Sequence, residues 1–462
     1  MPSELSRRAF LKRASALSLA GAAAPFVMNL AAMGEAAAAT ATDYKALVCV
    51  FLYGGNDYAN TLVPYDNTQY GIYQAQRPGL AYAQSALTAT ALTPSMALPN
   101  GAQYALAPEL AKLLPLFNAR NLAVLLNAGT LVQPTTKAQY QAHVSLPPKL
   151  LSHNDQQSYW QASSPEGAAS GWGGRIGDLL QSGNGTATLT CINVTGNAAF
   201  LTGQAAVQYS VTPAGPIALN ARTSLQGSTA AASLLQSLIS GGGTHEFEAA
   251  LGSIGARALD LYSQVSAALG QAPVTTTVFP TAADPQSSLG AQLQLVAKLI
   301  SVSSQLGAKR QVFFVSTGRY DTHAGLVTLH PTLLTNLADA LRAFYDTTAE
   351  LGVASQVTTF TGSDFGRALT ANNDGTDHGW GSMHFVLGGA VRGGRYYGIN
   401  PTLANGGPDD IGQGRLIPTL SVDQYAATLA SWFGVSNSDL ATVVPNIGNY
   451  AGSVLGTNVG FV

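Results

Sequence analysis

Between Thr359 and Phe385 the chain reads TFTGSDFGRALTANNDGTDHGWGSMHF. Asp364, Arg367, Asp374, Asp377, His378 and His384 crowd into this stretch, although only 10% of the chain is charged. Carboxylates and imidazoles set among glycines supply the donor atoms of a divalent-metal or anion site. A polar surface loop would use the same residue types. Two features favour chemistry. The segment holds two of the seven histidines and follows the strand-like run QVTTFTG. A second acidic–imidazole pair, Asp321 and His323, follows another such run, QVFFVSTG. Polar residues at the carboxyl ends of strands in an open α/β sheet are where ligands usually bind.

The rest of the chain supplies the elements such a site needs. Lys45 to Tyr53 (KALVCVFLY) is a continuous apolar run ending in Gly54-Gly55, the pattern of a buried parallel strand. Further strands are predicted over Asn121 to Ala128, Ala187 to Thr195, Gln311 to Ser316, Gln356 to Thr361 and Phe385 to Val391. Helical patterns fall at Ala111 to Phe117, Arg175 to Gln181, Ala291 to Leu306 and Leu333 to Leu351. This alternation predicts a mostly parallel sheet with helices on both faces. Residues 66–110 and 203–290 break the pattern and read as insertions, the second largely helical. Tyr70, Tyr73 and Tyr82 in the first of these would suit sugar or partner contact if exposed.

The chain opens with Ser6-Arg7-Arg8-Ala9-Phe10-Leu11-Lys12 and a weakly apolar stretch, then the Ala-rich run from Ala36. Paired arginines before such a run resemble a twin-arginine export signal, cleaved to leave a mature chain over residues 40–462. A transmembrane anchor is the rival, but Gly, Ser, Pro and Asn dilute the apolar run. That route exports folded proteins, so the translocase is an expected partner and the periplasm or exterior the expected destination. Without residues 1–39 the net charge is near −4, with no basic stripe for nucleic acid and no later span for a membrane. Cys49 and Cys191 lie in strand-like runs, and either a bridge or two buried thiols is compatible with the sequence.

Several motifs recur in one order: GGNDYANTLVP (Gly54 to Pro64), SHNDQQSYWQ (Ser152 to Gln161), DTH (Asp321 to His323), SDFGR (Ser363 to Arg367), GTDHGWGSMHFVLGGAVRGG (Gly375 to Gly394) and SVDQYAATLASWFGV (Ser421 to Val435). With the twin-arginine start, they resemble the exported bacterial family catalogued as domain of unknown function 1501. The resemblance implies the alkaline phosphatase and sulfatase superfamily. Its fold is a three-layer α/β/α sandwich, and its characterised members are metal-dependent hydrolases or transferases of phosphate and sulfate esters.

In that superfamily two divalent ions, zinc, manganese or similar, flank a Ser or Thr nucleophile at strand carboxyl ends. The resemblance therefore implies metal ligands among Asp57, Asp321, His323, Asp364, Asp377, His378 and His384. Asp57 would equally serve as a turn residue after Gly-Gly. Asp364 and Asp377 compete for one ligand role. Thr130 and Ser152 are the nucleophile candidates, with Thr61 third, and each would also serve as a capping hydroxyl. Arg367 or Arg175 would bind a phosphate or sulfate oxygen, or make a structural salt bridge. The chain lacks the Cys/Ser-x-Pro-x-Arg signature of formylglycine sulfatases. GWGGRIG follows no strand, which excludes a dinucleotide loop. Two functions follow: a metal-dependent hydrolase of phosphate or sulfate esters, or a non-catalytic protein that binds a glycan, an envelope component or a protein partner.

Overall fold

A computed structural model describes residues 43–196, 198–219, 223–242, 245–281 and 288–462. The export signal expected over residues 1–39 lies outside the described residues. Among these, one sheet has ten strands: β1 (Lys45–Leu52), β2 (Leu122–Gly129), β3 (Cys191–Asn193), β4 (Tyr209–Thr212), β5 (Gly215–Pro216), β6 (Arg310–Thr317), β7 (Val357–Ser363), β8 (Ser382–Leu387), β9 (Tyr396–Tyr397) and β10 (Leu420–Ser421). Their order is β9-β2-β8-β7-β1-β6-β3-β4-β5, with β10 also on β2. β1 runs parallel to β6 and β7, and β8 runs antiparallel to β2 and β7.

The central strand is apolar on both faces because both faces are covered. Ala46, Val48, Val50 and Leu52 enter one core with Leu293, Val296, Leu337 and Leu341 of the helices Leu289–Ser301 and Leu326–Glu350. Leu47, Cys49 and Phe51 enter the other with Ile176, Leu179 and Leu429 of the helices Trp172–Leu180 and Val422–Phe433. The result is the three-layer α/β/α sandwich, with two cores separated by the sheet. Full burial of each large aliphatic side chain contributes roughly 1.5–3 kcal/mol. Cys49 and Cys191 are both free and buried.

Two strand readings differ in extent. Residues 187–189 form a 3-10 turn, and only Cys191–Asn193 is extended. The Thr190 hydroxyl donates to the Ala187 carbonyl (2.7 Å), a local bond that competes with the ladder. Around His384 the strand starts three residues earlier than expected, at Ser382, and ends at Leu387. The Val391 N–H then bonds back to the Gly388 carbonyl (3.2 Å) in a turn.

Residues 66–110 carry the helix Asn67–Gln76, N-capped by Asp66, and Tyr104–Leu106, which pairs with Leu62–Pro64. Tyr70 and Tyr73 are buried there, which removes them as exposed sugar contacts. The Tyr73 hydroxyl donates to Asn60 Oδ1 (2.8 Å). Residues 203–290 bring β4, β5 and the helices Thr229–Ser240 and Glu246–Leu269. No helix among the described residues is long and apolar enough to cross a membrane.

Candidate metal centre

Register decides where the polar loops meet. Leu52 lies opposite Thr317 of β6 and Ser363 of β7, so three parallel strands end level. Their exits carry Gly54–Asp57, Asp321–His323 and Asp364–Arg367. Gly54 has φ +114°, and a Cβ there would sit 2.4 Å from the Asp321 nitrogen. Only glycine lets these two loops approach so closely.

Two further elements reach the same edge. The antiparallel ribbon Arg367–Asn372 and Gly375–His378 pairs Arg367 with His378. It turns through Asn373 at φ 59°, a left-handed conformation that asparagine tolerates. Asp374 in that turn accepts from the Gly325 N–H (2.9 Å) and steadies the loop after Asp321. The helix His153–Ala162 follows the long connection from β2 and presents His153 in its first turn.

These elements converge His153, Asp321 and His378. One ligand atom from each lies within 4.8 Å of the others. His153 Nε2 is 3.4 Å from Asp321 Oδ2, and His378 Nε2 is 3.2 Å from Asp321 Oδ1. Donors on a tetrahedral ion at ~2.1 Å bond length are separated by roughly 3.4 Å, so these spacings suit one ion. His378 Nδ1 donates to the Leu151 carbonyl (2.7 Å), which leaves Nε2 as a lone-pair donor. His153 Nδ1 meets Asp364 Oδ2 at 2.6 Å, while its Nε2 is buried without a hydrogen bond. A carboxylate behind a ligating imidazole is the arrangement that fixes tautomer and raises basicity in metal sites. Two imidazoles and one carboxylate form the donor set of catalytic zinc sites, so the residues fit a first-row divalent ion.

Asp364 is held in turn. Its Oδ2 also accepts from Gln157 Nε2 (2.8 Å) and the Gly54 N–H (3.2 Å). Asp321 Oδ1 takes the Arg367 guanidinium at 2.7 Å. Burial opposes ionisation of Asp321, but the Arg367 hydrogen bond and charge, with His323 and His153, hold it below the usual carboxylate range. The Asp364 hydrogen bond pushes the His153 pKa up, against its partial burial. Burial pushes His378 down. A cation in this cleft therefore competes with a proton on His153. His323 stands on the half-exposed rim: Nε2 is 2.9 Å from His378 Nε2 and 3.1 Å from Asp321 Oδ1, and Nδ1 is 3.3 Å from Asp377.

Of the remaining candidates, Arg367 touches this convergence through Asp321, and the others are engaged elsewhere. Asp57 is fully buried, with Oδ1 on Arg77 (2.8 Å) and the Asn60 N–H (3.0 Å) and Oδ2 on the Thr376 hydroxyl (3.0 Å). Burial would raise its pKa, yet Arg77 and then His330 hold it low. His384 is buried between Trp160 and Tyr425, and burial depresses it to about 3. The Thr130 hydroxyl donates to Gln156, and the Ser152 hydroxyl to Asp155 (2.9 Å). Arg367 points inward and is fully buried, bonded to Asp321, the Gly54 carbonyl and Thr376. Arg175 donates to the Val443, Ser170 and Ala162 carbonyls. The sequence reading does not count His153 among the metal ligands. Its one signal is its place beside Ser152, in the SHNDQQSYWQ motif that opens a helix.

Comparison with solved structures finds distant similarities, and no curated protein matches the chain. The PsFucS1 sulfatase from Pseudoalteromonas sp. is 10% identical with TM-score 0.35, over 90% of this chain and 73% of that one. The Ps i-CgsB structure in complex with k-i-k-neocarrahexaose is 10% identical with TM-score 0.35, over 88% and 77%. The lipoteichoic acid synthase LtaP from Listeria monocytogenes is 9% identical with TM-score 0.32, over 92% and 81%. The chemistry rests on the residues themselves. The model of the family described as protein of unknown function (DUF1501) matches residues 44–443, nearly the whole described chain, and the chain belongs to that family.

Proposed function

We propose that this chain is an exported, metal-dependent hydrolase of phosphate or sulfate esters, including esters carried on a glycan or lipid. The observation that supports it best is the meeting of His153, Asp321 and His378 at the strand ends. A divalent ion held by these three would polarise the ester and lower the pKa of an attacking water. The chain's own residues supply the rest. Asp364 orients His153, the Leu151 carbonyl orients His378, and Arg367 anchors Asp321. His323, half-exposed and backed by Asp377, stands where a proton would be taken up or returned. Thr130 and Ser152 have their hydroxyls bonded elsewhere, so we assign the attack to water. The Arg7-Arg8 start supports delivery by the twin-arginine translocase to the periplasm or beyond.

The same committed hydroxyls favour a second reading, a non-catalytic binding protein on this fold. A screen of aryl phosphate and sulfate esters with added zinc or manganese separates the two. Hydrolysis by the wild type that is lost in folded His153→Ala and Asp321→Ala supports the enzyme. Metal uptake without turnover of any ester moves the assignment to the binding protein.

A further inference from the structure

We infer that the helix pair Thr229–Ser240 and Glu246–Leu269 is a dimerisation surface, covered by the same pair of a second copy of this chain in an antiparallel bundle. Along the longer helix Phe247, Leu251, Ile254, Ala258, Leu261 and Val265 recur at alternating steps of four and three residues. That spacing, kept for about three heptads, is the seam of a helix built to pack against another helix. The second half of the seam is covered, with Leu261 and Val265 buried in the core beside the sheet. The first half is not. Phe247, Leu251 and Ile254 continue the same face and stand 60–81% exposed.

The shorter helix widens this face. A Cβ on Gly252 would sit 2.1 Å from the Gly241 carbonyl oxygen, and one on Gly255 2.3 Å from that of Ile239, so the two helices run antiparallel in close contact. Turning each helix by about 100° per residue from that contact puts Leu234 and Leu238 on the same side as Phe247, Leu251 and Ile254. Both leucines are exposed. The five side chains leave on the order of 600 Å² of apolar surface in water, the upper end for a monomer's largest patch and near the ~800 Å² each partner gives up in a stable complex. Charge selects the occupant. The two helices carry Glu246, Glu248 and Asp260 against Arg257 alone, whereas a helix pair lying on a lipid surface has a polar face rich in Lys and Arg. Glu246 and Arg257 are exposed about three turns apart on one edge of the seam, with Leu251 midway. A two-fold through Leu251 brings Glu246 of each protomer level with Arg257 of its partner. A parallel pairing would set Glu246 against its own copy, so the antiparallel arrangement is favoured.

The test is sedimentation velocity of the full exported protein over about 1–100 µM, the range in which interfaces of this size begin to hold. The wild type is expected to sediment as a dimer that dissociates on dilution. Leu251→Glu, shown by circular dichroism to be folded, is expected to be a monomer throughout. Glu246→Arg sets like charges across the two-fold and should weaken the dimer by about tenfold, and adding Arg257→Glu should restore it. These two variants change exposed charges, so they test the pairing without disturbing the core. A wild type that stays monomeric at the highest concentration would overturn the inference. So would a dimer that persists in Leu251→Glu, because it would use another face. Vesicles of phosphatidylethanolamine and phosphatidylglycerol are sedimented with the protein in parallel. A monomer that binds them through Phe247 and Leu251 would assign the surface to a membrane and overturn the dimer.

Discussion

The buried pair Arg77–Asp57 offers the sharpest quantitative test of how the strand-end loops are held. Both side chains are fully buried, 2.8 Å apart. Arg77 also donates to Asn60 Oδ1 (2.9 Å), the Leu369 carbonyl (2.8 Å) and the Ala368 carbonyl (2.9 Å). Arg77→Met would leave the Asp57 carboxylate buried with only the Asn60 N–H and the Thr376 hydroxyl. Breaking a buried ion pair costs about 3–5 kcal/mol, and each abandoned carbonyl about 1–3 kcal/mol. These terms overlap, so a loss of about 5 kcal/mol is expected, a large share of the ~5–15 kcal/mol of a typical domain. Adding Asp57→Asn removes the stranded charge and should recover roughly 2 kcal/mol. Urea unfolding at pH 7, followed by circular dichroism with slopes compared, measures the cycle. A loss below about 1 kcal/mol for Arg77→Met would refute the reasoning, as would a double variant less stable than Arg77→Met alone. Asp57→Asn should also leave metal affinity unchanged, because the carboxylate faces Arg77 rather than the His153–Asp321–His378 cleft.

Three further outcomes follow from the same geometry. Asp364→Asn removes the carboxylate behind His153 and should weaken zinc binding by about 10–100-fold in calorimetric titration, with the fold intact. Gly54→Ala forces a Cβ to 2.4 Å from the Asp321 nitrogen at φ +114°, and should cost about 2–5 kcal/mol in urea and impair metal uptake. Asp423 is buried away from the centre, and burial pushes its pKa up to about 6 despite hydrogen bonds from the Asn446 N–H and Ser163. Its folded state favours the proton, so its ionisation penalty is absent below about pH 4 and complete above about pH 6, reaching roughly 3 kcal/mol. Asp423→Asn should therefore exceed the wild type in stability at pH 7 and match it near pH 4; an equal difference at both would contradict the assignment.

The architecture was legible because strands buried on both faces leave long apolar runs. KALVCVFL and NLAVLLNA needed no partner to be recognised, and their ends fall within a residue of the observed strands. Short strands were less legible. Cys191–Asn193 is extended only because β6 and β4 flank it, while Thr190 bonds locally to Ala187. At the centre, chain density drew attention to Asp364, Asp377 and His378, and Asp321 and His323 announced themselves after a strand. His153 did not, because its partners Asp321 and Asp364 lie far along the chain, and nothing in local spacing reports such a meeting. The same holds for Arg77, whose pairing with Asp57 depends on how the helix Asn67–Gln76 returns to the first strand's exit. Side-chain direction was equally hidden. In sequence Arg367 reads equally as an anion-binding arginine or a salt-bridge partner, and the ribbon that pairs it with His378 turns it inward to Asp321, the second of the two.

The most direct test of the metal centre is elemental analysis of protein purified after native export, without chelators, alongside folded His153→Ala and His378→Ala. About one equivalent of zinc, manganese or a similar divalent ion in the wild type, lost in both variants, is the predicted result. A wild-type protein that carries no such ion and takes none up on titration, or variants that keep a full equivalent, would contradict it.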